Sequence, residues 1–209
     1  MRKYSKIFVL AMMALSTAAF AATTAVNTNT VAPTLQVSAT IQKAVQLTLS
    51  TGTAAVTHCT VTPTGGTPDY TMNFGTVDAL GINAGNCNKF NPANPGVDNA
   101  IYWSDYNATP VFTSHTATSG TTITAQVTTN FGVSNIFMVR DSANSSAVPP
   151  NAAAFTAIGT ASADTIAGPG VVSGTALTRF IGVAITPANG ATVGTGAQSA
   201  TVTFTLTVQ

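Results

Sequence analysis

Residues 201–208 read Thr-Val-Thr-Phe-Thr-Leu-Thr-Val, a strict alternation of threonine with an apolar side chain. Successive side chains of a β-strand point to opposite faces, so this segment has one apolar face and one threonine face. A strand of that kind lies at a sheet surface, with one face against a core and the other in water. The segment therefore predicts a half-buried strand.

A second alternating segment lies near the start of the chain. Between residues 35 and 41 apolar and polar side chains alternate, and the same odd-numbered phase resumes after Lys43. The pattern predicts one long strand or two strands placed end to end. The apolar positions of the first part are Leu35, Val37, Ala39 and Ile41, and those of the second part are Val45, Leu47 and Leu49.

The composition between these two segments favours strands and turns over helices. The 209 residues include no glutamate and only 7 lysines and arginines, so the best surface helix formers are scarce. Threonine, which favours strands, is the dominant polar residue. The pattern predicts an all-β fold, a single immunoglobulin-like Greek-key β-sandwich with an N-terminal extended strand. Its other main strands are expected at residues 70–74, 101–106, 111–114, 121–129, 136–141 and 177–185, with a hairpin turn at 107–110.

The first 21 residues have the organisation of an export signal. Arg2, Lys3 and Lys6 precede an apolar stretch at residues 7–15, and Ala19-Phe20-Ala21 has the small-x-small pattern of a cleavage site. We predict a signal peptide at residues 1–21, an extension at 22–42 and a β-sandwich domain at 43–209. The protein is then exported, passing through a periplasm to the cell surface or the medium.

The two cysteines are interpreted in the light of that export. Cys59 and Cys87 are the only cysteines, and an even number in an exported chain predicts one disulfide bond. Paired metal ligands are the alternative, but metal sites need more ligands at short spacing, and only His58 adjoins a cysteine. The sequence therefore favours a structural disulfide and predicts no metal site.

No motif for catalysis is present. The patterns G-x-S-x-G, H-E-x-x-H and the phosphate-binding loop are all missing, and neither His58 nor His115 has a carboxylate pattern around it in sequence. Nor do the basic residues cluster beyond the signal, so nucleic-acid binding is excluded. We predict a protein that is not an enzyme and has no cofactor. A secreted hydrolase using Asp105 or Asp141 is one alternative.

Trp103, with Tyr102 and Tyr106, offers a second alternative. Aromatic rings of this kind can form a stacking platform for sugars, although at alternating strand positions they are more often part of a core. The chain would then be a monomeric secreted or surface β-sandwich that binds glycan or protein through its loops.

The two alternating segments raise the question of sheet edges. Either they pair within one molecule, or one of them leaves an unpaired edge that can pair with another chain. In donor-strand complementation, an extended segment of one subunit completes the sheet of the next. Because such contacts run head to tail and need not close, they build filaments.

With these features the sequence resembles the subunits of chaperone–usher pili, most nearly the archaic group related to spore coat protein U. The similarity rests on the signal peptide followed by a polar stretch and an alternating segment, and on the order Cys59, Phe74-Gly75, Cys87. It also rests on the alternating C-terminal strand and on Gly196, fourteenth from the end. Pilins usually carry an aromatic residue one before the end, where this chain has Val208.

The resemblance implies a structural subunit of a surface pilus or fibre, with a role in adhesion or biofilm formation. Its partners would be identical or related subunits, a periplasmic chaperone and an outer-membrane usher. Leu35, Val37, Ala39 and Ile41 would be the donor residues that fill pockets in the neighbouring subunit. The strand grasped by the chaperone and used in assembly would comprise Gly196, Val202, Phe204, Leu206 and Val208.

Overall fold

The computed structural model describes residues 36–39, 44–113, 120–141, 146–187 and 196–208. The chain divides into two compact units, Met1–Ile41 and Gln42–Gln209. In the first unit only residues 36–39 are described, and they form no strand. The predicted signal peptide and most of the predicted N-terminal extended strand lie outside the described residues.

The second unit is built from strands, as the sequence predicts. One 3-10 turn, Ala152–Ala154, is its only helical element among the described residues. The strands are β1 (Val45–Thr51), β2 (Val61–Pro63), β3 (Tyr70–Met72), β4 (Asn88–Phe90), β5 (Ala100–Phe112), β6 (Thr122–Thr129), β7 (Ile136–Asp141), β8 (Phe155–Ala157), β9 (Asp164–Ala167), β10 (Leu177–Ile185) and β11 (Thr201–Thr207).

Two sheets form the sandwich, and all their pairings are antiparallel. The main sheet has the strand order β1-β5-β10-β7-β8, with β4 also paired to β5. The second sheet has the order β11-β6-β9. A separate hairpin joins β2 to β3. The expectation of an all-β sandwich is confirmed.

The predicted hairpin turn at residues 107–110 is wrong, because these residues continue the long strand β5. Asn107 pairs with Ser50 of β1 on one side and with Thr178 of β10 on the other. Pro110 pairs with β1 and with no second strand in the described chain, because β10 reaches no further than Ala108, although its carbonyl accepts the Gly174 N–H at 2.7 Å. A proline is tolerated where a strand has a neighbour on one side only.

The core lies between the two sheets. Tyr106 of β5 packs against Phe204 of β11, with ring centroids 5.5 Å apart. Burial raises the pKa of Tyr106, so its phenol stays neutral at physiological pH. Three alternate residues of β6 complete the centre of the core and are fully buried: Ile123, Ala125 and Val127.

The outer face of the main sheet is apolar as well. Trp103 stacks on Phe90 at 5.4 Å and meets the edge of Phe180 at 5.8 Å between ring centroids. Phe155 closes this second cluster, 5.9 Å from Trp103. Both faces of the main sheet therefore bury apolar side chains.

Candidate functional site

The C-terminal strand β11 forms one edge of the second sheet. It pairs with β6 and with no other strand among the described residues. Its apolar side chains Val202, Phe204 and Leu206 pack against the core but are only half-buried. Val208 is also half-buried, and Gly196 is exposed with φ +100°. The strand is thus an open edge whose apolar face is incompletely covered.

Strand β1 forms the corresponding edge of the main sheet. It pairs with β5 alone in the described part of the chain. Leu47 and Leu49 point toward the core and are half-buried, and Val45 is exposed. Some Cα atoms of β1 and β11 lie within 8 Å of each other, but no ladder of hydrogen bonds joins these two strands. The sandwich therefore has two neighbouring open edges, which we call the open seam.

The proposed donor residues fall partly within the described chain. Val37 exposes 82% of its surface, and Ala39 is also exposed. Leu35 and Ile41 lie outside the described residues. Their role as donors stays a prediction.

The Cys59–Cys87 disulfide is present, as the sequence predicts. The two Cα atoms are 5.2 Å apart, and the bond joins the segment that precedes β2 to the loop that precedes β4. Cys59 also donates its backbone N–H to the Ser104 hydroxyl at 2.9 Å. A disulfide fits folding in an oxidising compartment, in line with export.

Next to the disulfide, His58 contacts a carboxylate that the sequence does not indicate. His58 Nδ1 lies 2.6 Å from Asp105 Oδ1, although the residues are 47 positions apart. The Asp105 side chain is fully buried, and its second oxygen accepts the Ala54 N–H at 2.8 Å. Position 52 must be glycine here, because a Cβ atom would overlap the Asp105 carboxylate. Asp105 thus anchors the loop that carries Cys59.

This geometry does not support the hydrolase alternative based on Asp105. Its two oxygens are engaged with His58 and Ala54, and Gly52 covers it. Asp141 pairs in register with Phe155 at the β7–β8 edge and is also buried. His115 lies outside the described residues.

The sugar platform that the sequence left open as an alternative is not formed. Tyr102 and Tyr106 belong to the core between the sheets, whereas Trp103 belongs to the cluster on the other face of β5. Alternation along the strand separates them, and all three side chains are buried. This version of the glycan-binding alternative is wrong.

The loop at residues 78–83 is organised by one carboxylate. Asp78 accepts the backbone N–H groups of Leu80, Ile82 and Asn83 at 2.9, 3.1 and 2.6 Å. Lys89 Nζ donates to the carbonyl of Asn83 at 3.0 Å, and the Tyr102 hydroxyl donates to the same oxygen at 3.0 Å. The loop is therefore tied to both β4 and β5.

Asp78→Asn is expected to lower the free energy of unfolding by about 1 kcal/mol, as for loss of a helix cap. Burial raises the pKa of Asp78, but the N–H donors of the loop outweigh that effect and hold the pKa of this carboxyl below its ordinary value of 3.8. A carboxylate whose pKa is lower in the folded protein than in the unfolded chain stabilises the fold at pH values above its unfolded-state pKa. That stabilisation is lost as the pH falls through its folded-state pKa. Urea unfolding from pH 7 to pH 2 should show the deficit at neutral pH and its disappearance in acid. Asp69→Asn, which removes an exposed carboxylate, is the control; a pH-independent deficit in Asp78→Asn would contradict the assignment.

The described residues hold no group of three or more histidines, cysteines or acidic residues placed to share a metal ion. No helix in the described part of the chain has the length and apolar character to span a membrane. Comparison with protein-family models, with curated proteins and with solved structures finds no match.

Proposed function

We propose that this chain is a structural subunit of a cell-surface pilus or fibre, which polymerises by donor-strand complementation. Residues 35–41 of one subunit would enter the open seam between β1 and β11 of the next. The observation that carries the proposal is the open seam itself. The first and last strands of the sandwich each have a strand on one side only among the described residues, and their open edges are neighbours.

The chemistry of the seam matches the chemistry of the alternating segment. Open strand edges present unpaired N–H and C=O groups, and an added strand satisfies them. The half-buried Leu49, Phe204 and Leu206 gain cover when apolar side chains pack on them. A segment with period 2 supplies both the backbone groups and a row of apolar side chains, of which Val37 is exposed.

Insertion requires the seam to open. Adjacent strands in a sheet lie about 4.8 Å apart, so a strand between two others needs about 9.6 Å. The Cα atoms of β1 and β11 approach within 8 Å. The incoming strand must therefore part these edges, and a chaperone that holds β11 would keep them apart before assembly.

The partners in this proposal are identical or related subunits, a periplasmic chaperone and an outer-membrane usher. The donor segment and the seam are different parts of the chain, so each contact would run head to tail and the chain of subunits need not close. The threonine rows of β6 and β11 suit an exposed fibre, because they cover the second sheet without charged groups. No catalytic step is involved.

The test is an unboiled denaturing gel of material sheared from the cell surface. We expect a ladder of multimers that collapses on boiling, and we expect Val37→Asp with Ile41→Asp to abolish it. The matched control is Ser38→Asp with Thr40→Asp, which adds the same charge to the same segment in the opposite phase and should keep the ladder.

Each outcome decides between readings of the segment. A ladder that survives Val37→Asp with Ile41→Asp would refute the donor role of residues 35–41. A single monomer band from the unchanged protein would refute polymerisation and favour a monomeric ligand-binding sandwich. Loss of the ladder in both double variants would show that the added charge prevents polymerisation whichever face of the segment carries it. That result would also refute the donor role.

A further inference from the structure

The outer face of the main sheet carries a concavity that the fibre proposal does not use. Four residues face one another in register across β4, β5, β10 and β7: Phe90, Ile101, Ala184 and Phe137. Ala184 is small and lies between the larger Ile101 and Phe137. The next row repeats the pattern, with Gly182 between Trp103 and Val139. The short side chain of Ala184 leaves a hollow in the sheet surface, whereas the space beside Gly182 is filled by Tyr102 and Trp103.

The hollow is a cavity of about 480 Å³, within the range of small-molecule sites. Ile101, Val139 and Ala184 form its buried floor, and Phe90 and Phe155 contribute aromatic walls. The turn at residues 91–99 and the helical turn Ala152–Ala154 form its rim. Its floor is thus rigid sheet, and its rim comes from loops.

The rim supplies polar groups that the protein itself leaves unused. The side-chain amides of Asn91 and Asn99 make no hydrogen bond within the described part of the chain. Asp98 Oδ2 accepts the backbone N–H of Asn94 at 2.8 Å and its side-chain amide at 3.1 Å. These two bonds fix the carboxylate and leave its Oδ1 without a partner among the described residues.

The charge of the lining restricts the ligand. Asp98 is the only charged residue among the described residues that line the cavity, and none of them is lysine or arginine. An anionic ligand would therefore meet a carboxylate with no compensating cation. A wholly apolar ligand would leave the amides of the rim without partners, which costs binding free energy.

We infer that this cavity binds a neutral pyranose sugar. Such a ring has an apolar C–H face for the Phe90 and Phe155 walls and hydroxyl groups around its perimeter. Hydroxyls both donate and accept, so they can pair with a carboxylate oxygen and with amide groups at once. Burying the ring against aromatic side chains contributes the affinity, and the rim sets the orientation. Sugar binding at this site needs no polymerisation, so it can be tested independently of the fibre proposal.

The test uses the purified protein and a panel of methyl glycosides: glucoside, galactoside, mannoside and N-acetylglucosaminide. Saturation-transfer NMR and titration up to about 20 mM should detect at least one of them, with a dissociation constant in the millimolar range expected for a single sugar. Methyl glucuronide serves as the anionic comparison and should bind at least about tenfold more weakly.

Two variants locate the site. Ala184→Leu fills the cavity from its floor, and Asn99→Ala removes a rim amide that bonds to none of the described residues; each should weaken binding at least about tenfold. Thr203→Ala, on the outer face of the other sheet, should leave binding unchanged, and a thermal melt of each variant confirms folding. The inference is overturned if no neutral glycoside binds, if the glucuronide binds best, or if binding survives both cavity variants.

Discussion

Gly182→Ala is expected to lower the free energy of unfolding by about 3 kcal/mol or more, the upper range for overpacking. Gly182 lies in β10, opposite Trp103 of β5 and Val139 of β7. A Cβ atom there would overlap the carbonyl oxygen of Tyr102 and lie 2.9 Å from the Trp103 Cβ. The first obstacle is backbone of a paired strand, so the two central strands of the main sheet would have to separate.

Thermal unfolding followed by circular dichroism measures this effect. For a domain of this size, 3 kcal/mol corresponds to a fall of roughly 6–12 °C in Tm. Gly66→Ala is the matched control, because a Cβ atom there has no heavy atom within 4 Å. Equal melting temperatures for the two variants would mean that β5 and β10 are not packed in the register described.

Hydrophobic patterning predicted much of this fold, through alternation in the half-buried β11 and through apolar runs in β7 and β10, which are largely buried on both faces. Strands β7 (Ile136–Asp141) and β10 (Leu177–Ile185) have the bounds that the sequence indicated, and β11 ends one residue earlier. In each, one set of alternate side chains faces the core between the sheets. Where one face is buried and the other differs from it, local alternation carries the information needed to place a strand.

Local patterning failed where the surroundings decide the conformation. Residues 107–110 contain asparagine and proline, which favour turns, yet they are held in β5 by β1 on one side and partly by β10 on the other. The short strands β8 and β9 were not indicated at all, because three or four residues hold too little pattern. Tertiary pairing overrides local preference in both cases.

In the candidate sites, too, local pattern predicted some features, whereas tertiary pairing determined the others. The apolar faces of β1 and β11 could be predicted from alternation, but that these strands lie side by side depends on the pairing of both sheets. The cavity could not be predicted, since it arises only when Ala184 is placed between Ile101 and Phe137 on neighbouring strands. A small residue in a strand becomes a hollow only in a particular register.

The main sheet thus carries two separate surfaces, one proposed for assembly and the other for ligand binding. Its edge, with the open edge of the second sheet, forms the seam at which subunits would join. Its outer face holds the cavity, whose lining includes no residue of β1 or β11. A fibre assembled through the seam would therefore leave the cavity of every subunit unobstructed by the donor strand, and repeated sugar sites along one fibre would raise its avidity for a glycan surface.

His58→Ala is expected to lower the free energy of unfolding by about 2–3 kcal/mol, less than the roughly 3–5 kcal/mol lost when a fully buried charged pair is broken. His58 Nδ1 lies 2.6 Å from Asp105 Oδ1, and the carboxylate is fully buried. Because a carboxylate only accepts hydrogen bonds, this contact requires the ring form that carries a proton on Nδ1. Without the ring, the N–H of Ala54 is the one hydrogen-bond donor that the described residues leave to the carboxylate. Because the His58 side chain is 33% exposed, water compensates part of the loss.

A second substitution separates this charge effect from lost packing. Asp105→Asn removes the buried charge and keeps an oxygen that accepts the Ala54 N–H. If the orphaned charge causes the damage, the double variant His58→Ala with Asp105→Asn should be more stable than His58→Ala alone by about 1 kcal/mol. Urea unfolding of the four proteins at one pH gives the coupling free energy directly. If the two single losses simply add, the pair does not interact, and the loop carrying Cys59 must be held by the disulfide and Ser104 instead.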